Sequence, residues 1–174
     1  MLRILLVLGL SQATVSELQF VEANPADVAS IDSLVQAYYL SLQGEPGDRK
    51  EHKKRYASLF TKWAYIVTPT LATSEGKNVP NARRIDDWMT RYPDHREKPF
   101  YEWEVARRVD AFGHMAHVYS TYEIRDRKTD EKPVSHGLTS FDLALIDGRW
   151  WIVGLQWSGL DAKEPLPPEY APRK

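Results

Sequence analysis

Cysteine is absent from all 174 residues, which excludes disulfides, thiol nucleophiles and thiolate metal sites. A charge excess of either sign is also lacking. The chain has 23 basic and 24 acidic residues, a formal net charge of -1, which gives no long-range pull on nucleic acid or anionic lipid. No basic run alternates with exposed aromatics, so nucleic-acid binding is not expected. Long hydrophobic runs are missing too. Ile4 to Leu10 is apolar but far short of the roughly 20 residues that span a bilayer. With Met1-Leu2-Arg3 before it and Ser11-Gln12-Ala13 after it, the run has the layout of a short secretory signal cut near Ala13. Residues 1–16 are therefore set apart, and a periplasmic or secreted location is expected. The alternative is the first element of a cytoplasmic domain.

What the chain does have is aromatic mass: six Trp and nine Tyr. Such rings dominate cores, and each carries a polar atom that needs a partner when buried. A surplus of them suits either a ring-lined hollow with hydrogen-bonding points or a core filled by the rings themselves. The length suits one domain.

Asn24-Pro25 reads as a capped helix start. Val28, Ile31, Leu34, Val35, Tyr38 and Leu42 follow at spacings of three and four, which buries one face of a single long helix. Gly44 to Asp48 ends it. Lys50 to Phe60 reads as a second helix, its Lys50, Lys53, Lys54 and Arg55 forming a solvated face. Trp63 to Val67 reads as a short strand and Leu71 to Val79 as a loop. A third helix is expected to start at Pro80-Asn81, with Ile85, Trp88 and Met89 on one face. Phe100 to Arg108 alternates as a strand. Val109 to Gly113 reads as a turn, His114 to Arg125 as a strand, Asp126 to Lys132 as a polar turn and Ser135 to Ile146 as a strand. Asp147-Gly148 signals a two-residue hairpin into the closing strand that ends at Ser158. The tail 161–174, with Pro165, Pro167, Pro168 and Pro172, reads as an extended strap or a disordered end.

Val109-Asp110-Ala111-Phe112-Gly113-His114-Met115-Ala116-His117-Val118 and Asp147-Gly148-Arg149-Trp150-Trp151-Ile152-Val153 resemble a family pattern. It consists of a strand, a Gly turn, an Ala-containing strand, then Asp-Gly-x-Trp before the last strand. The family is the nuclear transport factor 2-like (SnoaL-like, cystatin-like cone) superfamily, and the element order matches over residues 24–160. Ala116 to Glu123 with Arg125 is similar to a group of uncharacterised bacterial members. The resemblance implies an α+β fold: a curved antiparallel sheet wrapped around the long N-terminal helix as a cone-shaped barrel, with three helices on the concave face. It also implies a pocket between helix and sheet, and a homodimer through the outer sheet face.

Periodicity then assigns faces. His114 and His117 differ by three and point to opposite sides of a strand, so they cannot share one metal without a bulge. Registering on Ala116 sends His117, Tyr119, Thr121 and Glu123 into the pocket and His114, Ala116, Val118, Ser120 and Tyr122 outward. A one-residue slip reverses both sets. The remaining pocket candidates are Tyr38, Trp63, Tyr65, Trp88, Trp103, Thr139, Phe141, Leu143, Val153, Leu155 and Trp157. His117 is the candidate acid–base group, oriented by Glu104 or Glu123, with Tyr38 or Tyr119 donating to a ligand oxygen. Each has a plainer alternative as a satisfied core residue. Arg107 beside Glu104 either holds a ligand carboxylate or forms a strand ion pair. His52, His95 and His136 lack ligand spacing, so neither a metal nor another cofactor is expected.

The catalytic sets of known relatives do not carry over. Tyr38 matches the helix Tyr of ketosteroid isomerases, but the two carboxylate places fall near Thr68 and Thr139. The scytalone dehydratase type needs two cooperating histidines. The Asp-Arg-Asp relay of epoxide-opening members is not placed. Three readings stand: a small-molecule binder with an aromatic-lined cone, a cofactor-free lyase, isomerase or hydrolase using His117, Tyr38 and Glu123, and a dimeric interaction module whose cone is filled.

Overall fold

The structure, a computed structural model, describes residues 22–72, 78–161 and 163–172. The expected secretory segment lies outside the described residues. Two helices stand where one was expected: α1 (Pro25–Val28) and α2 (Ile31–Leu42). Ser30 divides them by adopting extended backbone. Its hydroxyl accepts from Ser33 N at 3.0 Å, and Ser33 Oγ accepts from Ser30 N at 3.1 Å. That reciprocal cap out-competes a continuous helix at the first donors of α2. Replacing Ser30 with Ala should cost about 1 kcal/mol in urea denaturation.

Next come β1 (Gly47–Asp48), α3 (Lys50–Ser58), β2 (Phe60–Ala72) and β3 (Asn78–Arg84). They are followed by α4 (Ile85–Arg91), β4 (His95–Arg96), β5 (Tyr101–Phe112), β6 (Met115–Arg125), β7 (Ser135–Ile146) and β8 (Arg149–Asp161). The short strand expected at Trp63 is thus part of a 13-residue strand, and residues 78–84 pair with it instead of starting a helix. β3 is the edge of the sheet, the position at which a strand most readily contains proline.

The six-stranded order is β3-β2-β8-β7-β6-β5. Every pairing is antiparallel except β2 with β8. The expected α+β fold, a curved sheet around a long helix, is present, with a mixed sheet in place of a wholly antiparallel one. The Asp147-Gly148 hairpin forms as expected, with positive φ at both residues.

α2 lies against the concave face. Leu34, Val35 and Tyr38 are buried with Val118, Phe141, Leu143, Ile152 and Leu155. The rings of Tyr38 and Phe141 meet edge-on at 4.9 Å, Tyr56 lies 5.6 Å from Tyr38 and 5.2 Å from Tyr92, and Trp88 meets Trp157 at 5.6 Å. Two arginines finish α2 at its C-terminal end. Arg49 and Arg96 both donate to the Leu42 carbonyl, and Arg49 also donates to the Tyr92 hydroxyl at 2.6 Å. Cations there satisfy orphan carbonyls and oppose the helix dipole.

The β6 faces are the reverse of those expected from registering on Ala116. Ala116, Val118, Ser120 and Tyr122 point into the core, while His117, Tyr119 and Thr121 point outward. The inward set sits on the same face as Phe141 and Leu143 of β7, and apolar burial settles the register.

Candidate functional site

The sequence-predicted pocket residues divide between the two sides of the sheet. Tyr38, Thr139, Phe141 and Leu155 are buried inside, with Trp88 and Trp157 packed against them. Trp63 and Tyr65 are exposed on the outer face, on the side opposite the buried Ala64 and Ile66. Val153 sits at a bulge between β7 and β8. Glu123 pairs with Arg125 at 3.0 Å, not with His117, and Trp103 lies beneath the same guanidinium. Tyr119 touches the rings of His117 and Tyr170, and the Thr121 hydroxyl donates to the Tyr170 carbonyl at 2.6 Å. The C-terminal tail is therefore a strap across the outer face. His117, Tyr38 and Glu123 do not form one catalytic group.

Inside, the rings fill the space around α2. Among them lies a residue that sequence reasoning passed over. Glu102 is buried, faces the core and lies within electrostatic reach of Tyr38, Tyr39, Tyr56, Tyr92 and Tyr122. Burial alone pushes its carboxyl from 4.5 up to about 8, because low-dielectric surroundings disfavour the anion. Burial likewise holds the Tyr38, Tyr39 and Tyr56 phenols above their usual range, so all are neutral donors near pH 7. The polar atoms of Thr139 and Trp88 are buried beside the Tyr39 and Tyr56 hydroxyls.

Beside this interior an open groove of 590 Å3 lies between α2 and β5. Gln36, Tyr39, Leu40 and Gln43 line it from α2, at the three- and four-residue spacing of one helix face. Trp103, Glu104 and Arg107 line it from β5. A bulge at Val105, between the pairs Glu104–Tyr122 and Ala106–Thr121, brings Glu104 and Arg107 to the same inward side. Arg107 Nε and Nη2 donate to the two oxygens of Glu104 at 2.8 and 2.5 Å, and Nη1 donates to Asp32. Ser120 Oγ donates to Glu104 at 2.6 Å and lies 2.8 Å from the Tyr39 hydroxyl. With the Ser120 proton committed to a carboxylate, Tyr39 donates to Ser120. Burial works against the Arg107 charge, but Glu104 and Asp32 outweigh it, so its pKa is raised. Gln43 Nε2 donates to the Glu102 carbonyl at 2.6 Å, tying the groove to the buried acid.

The chain Asp32–Arg107–Glu104 brings together an acid, an arginine and a second acid, the residue types of the epoxide-opening relay. Asp32, however, is 91% exposed, so the dry setting in which such a relay would work is missing. Of the residues in this chain, Glu104 and Arg107 were named from sequence as an alternative pair. Asp32, Gln36, Tyr39, Gln43 and Ser120 were not, because only tertiary packing brings α2 to the β5 edge.

No protein-family profile matches this sequence, and neither does any curated protein sequence. Solved structures do match. A protein of unknown function with a cystatin-like fold from Nostoc punctiforme aligns at a TM-score of 0.54 and 14% identity, covering 80% of this chain and 92% of that one. A nuclear transport factor 2-like protein of unknown function from Pseudomonas putida gives 0.57 and 10%, covering 78% and 94%. A Mycobacterium tuberculosis protein of unknown function gives 0.56 and 16%, covering 75% and 69%. At these identities the likeness is one of fold.

Proposed function

We propose that this chain, which has the nuclear transport factor 2-like fold, is a small-molecule-binding protein. Its ligand is a compact carboxylate with an apolar or aromatic body, held in the groove between α2 and β5. The observation that carries the reading is the state of Arg107. Its side chain is 17% exposed and fixed on one edge by Glu104, while its remaining donor edge meets Asp32, which is 91% exposed. An ion pair to so solvated a partner is worth little, about 0–1 kcal/mol, whereas a planar guanidinium suits carboxylates. A ligand carboxylate can displace Asp32 at small cost. Trp103 and Leu40 supply apolar wall, Gln36 and Gln43 supply amides, and the volume falls within the roughly 300–1,000 Å3 usual for ligand sites.

The expected result is that 3-phenylpropionate and related aryl carboxylates raise the melting temperature, while their neutral amides do not. Arg107→Met should abolish the shift, and Asp32→Asn should strengthen it by removing the competitor. Equal shifts from acids and amides, or shifts unchanged in Arg107→Met, would contradict the reading.

A further inference from the structure

The outer face of the sheet carries a second constellation, on the side away from the groove. His117 Nδ1 lies 2.7 Å from Asp142 Oδ1, and His117 Nε2 lies 3.1 Å from Ser140 Oγ. Strand register produces this. Asp142 sits directly opposite His117, Ser140 sits opposite Tyr119, and residues two apart on β7 share a face. Because an ionised Asp only accepts, the Nδ1 proton goes to Asp142, which leaves the Nε2 lone pair to accept the Ser140 proton. This is the order nucleophile, base, orienting carboxylate, which is identified by geometry whatever the sequence positions. Beside it lies a hollow of 860 Å3 lined in part by Val109, Phe112, Met115, His117, Asp142 and Val153. Phe112 is 83% exposed and Met115 is exposed too, an apolar surface with room for an acyl chain.

We propose that Ser140, His117 and Asp142 form an acyl-transfer site for activated carboxylic esters with short apolar acyl groups. Ser140 Oγ attacks the ester carbonyl while His117 Nε2 takes the hydroxyl proton. The bond from carbonyl carbon to the leaving oxygen breaks, and that proton passes to the departing phenol or alcohol. Water then attacks the acyl-serine, giving its proton to His117. The carboxylic acid leaves as the proton returns to Ser140. Ser140 and His117 are the catalytic residues and Asp142 is a positioning residue. His117 and Asp142 reach solvent and the hollow, whereas Ser140 is only 9% exposed, which restricts the site to slender esters with good leaving groups.

The test is peptide mapping of the full chain after incubation with a fluorophosphonate, alongside hydrolysis of 4-nitrophenyl butyrate. Ser140 should carry the adduct in the wild-type protein, which needs no variant to fold. Labelling should slow roughly tenfold or more in His117→Gln, checked for native circular dichroism. Asp142→Asn should lower kcat for the ester with KM unchanged. No adduct at Ser140, an adduct confined to other serines, or labelling at the wild-type rate in His117→Gln would each overturn the proposal. None of these results depends on the carboxylate groove, since Arg107 lies on the opposite face.

Discussion

Glu102→Gln should make the protein more stable than wild type above pH 8 and remove most of the fall in stability that wild type shows on the way there. The sign follows from proton linkage. The folded-state carboxyl is raised to about 8 from an ordinary 4.5, so between those values the folded protein holds a proton that the unfolded chain has released. Stability then falls as pH rises. Below about pH 4.5 both states are protonated and the residue is neutral in its effect. Above about pH 8 folding buries a charge, at a cost on the order of 3–5 kcal/mol. Glutamine keeps the shape and never ionises, so the two proteins should match to within about 1 kcal/mol near pH 5 and diverge steadily toward pH 9. Urea denaturation of both across pH 5–9 checks this, and the difference between the curves isolates the one residue. Parallel curves would mean that Glu102 is ionised and solvated in the folded state.

The second large effect is expected at Gly137, near the start of β7. A Cβ there would stand 2.3 Å from the Ser158 carbonyl oxygen and 2.4 Å from the Tyr122 hydroxyl. One of these is backbone of the neighbouring strand, so the clash cannot be relieved by a side-chain rotation. Gly137→Ala should cost about 3 kcal/mol or more. Gly159→Ala, whose nearest atom would be the Tyr122 hydroxyl at 3.3 Å, should cost clearly less. Adding Tyr122→Phe to Gly137→Ala removes only the hydroxyl contact, leaving the Ser158 carbonyl and the ring carbon that would stand 2.5 Å away, and should not restore stability. Thermal unfolding of the four proteins reads this directly, and a mild Gly137→Ala would show that β7 and β8 are less closely apposed than described.

These two residues mark where sequence was informative and where it was not. The β7 span, the Asp147-Gly148 turn and the helical stripe from Leu34 to Leu42 were legible because alternation, turn chemistry and period reflect local physics. The face of β6 was not, since both of its faces carry a tyrosine and neither is wholly polar. Only the facing strand, with Phe141 and Leu143 inward, decides it. The same register would have revealed the meeting of His117 with Asp142, had pairing been counted outward from the Asp126 to Lys132 turn. Glu102 gave no signal at all: a carboxylate in an alternating strand looks like a solvent-facing residue until its burial is known. The groove was half visible, as Glu104 and Arg107, but its α2 wall depends on how the helix crosses the sheet edge.

The claim on which the functional reading rests is that Arg107 offers one edge of its guanidinium to a carboxylate ligand. Titration of 15N-labelled protein with 3-phenylpropionate, watching the Arg107 Nε–H, the Trp103 indole and the Gln36 and Gln43 side-chain amides, tests it most directly. The expected result is a saturable shift of these four signals together, with the outer-face Trp63 indole unmoved. Binding that leaves Arg107 untouched, or that moves Trp63 in place of Trp103, would contradict it.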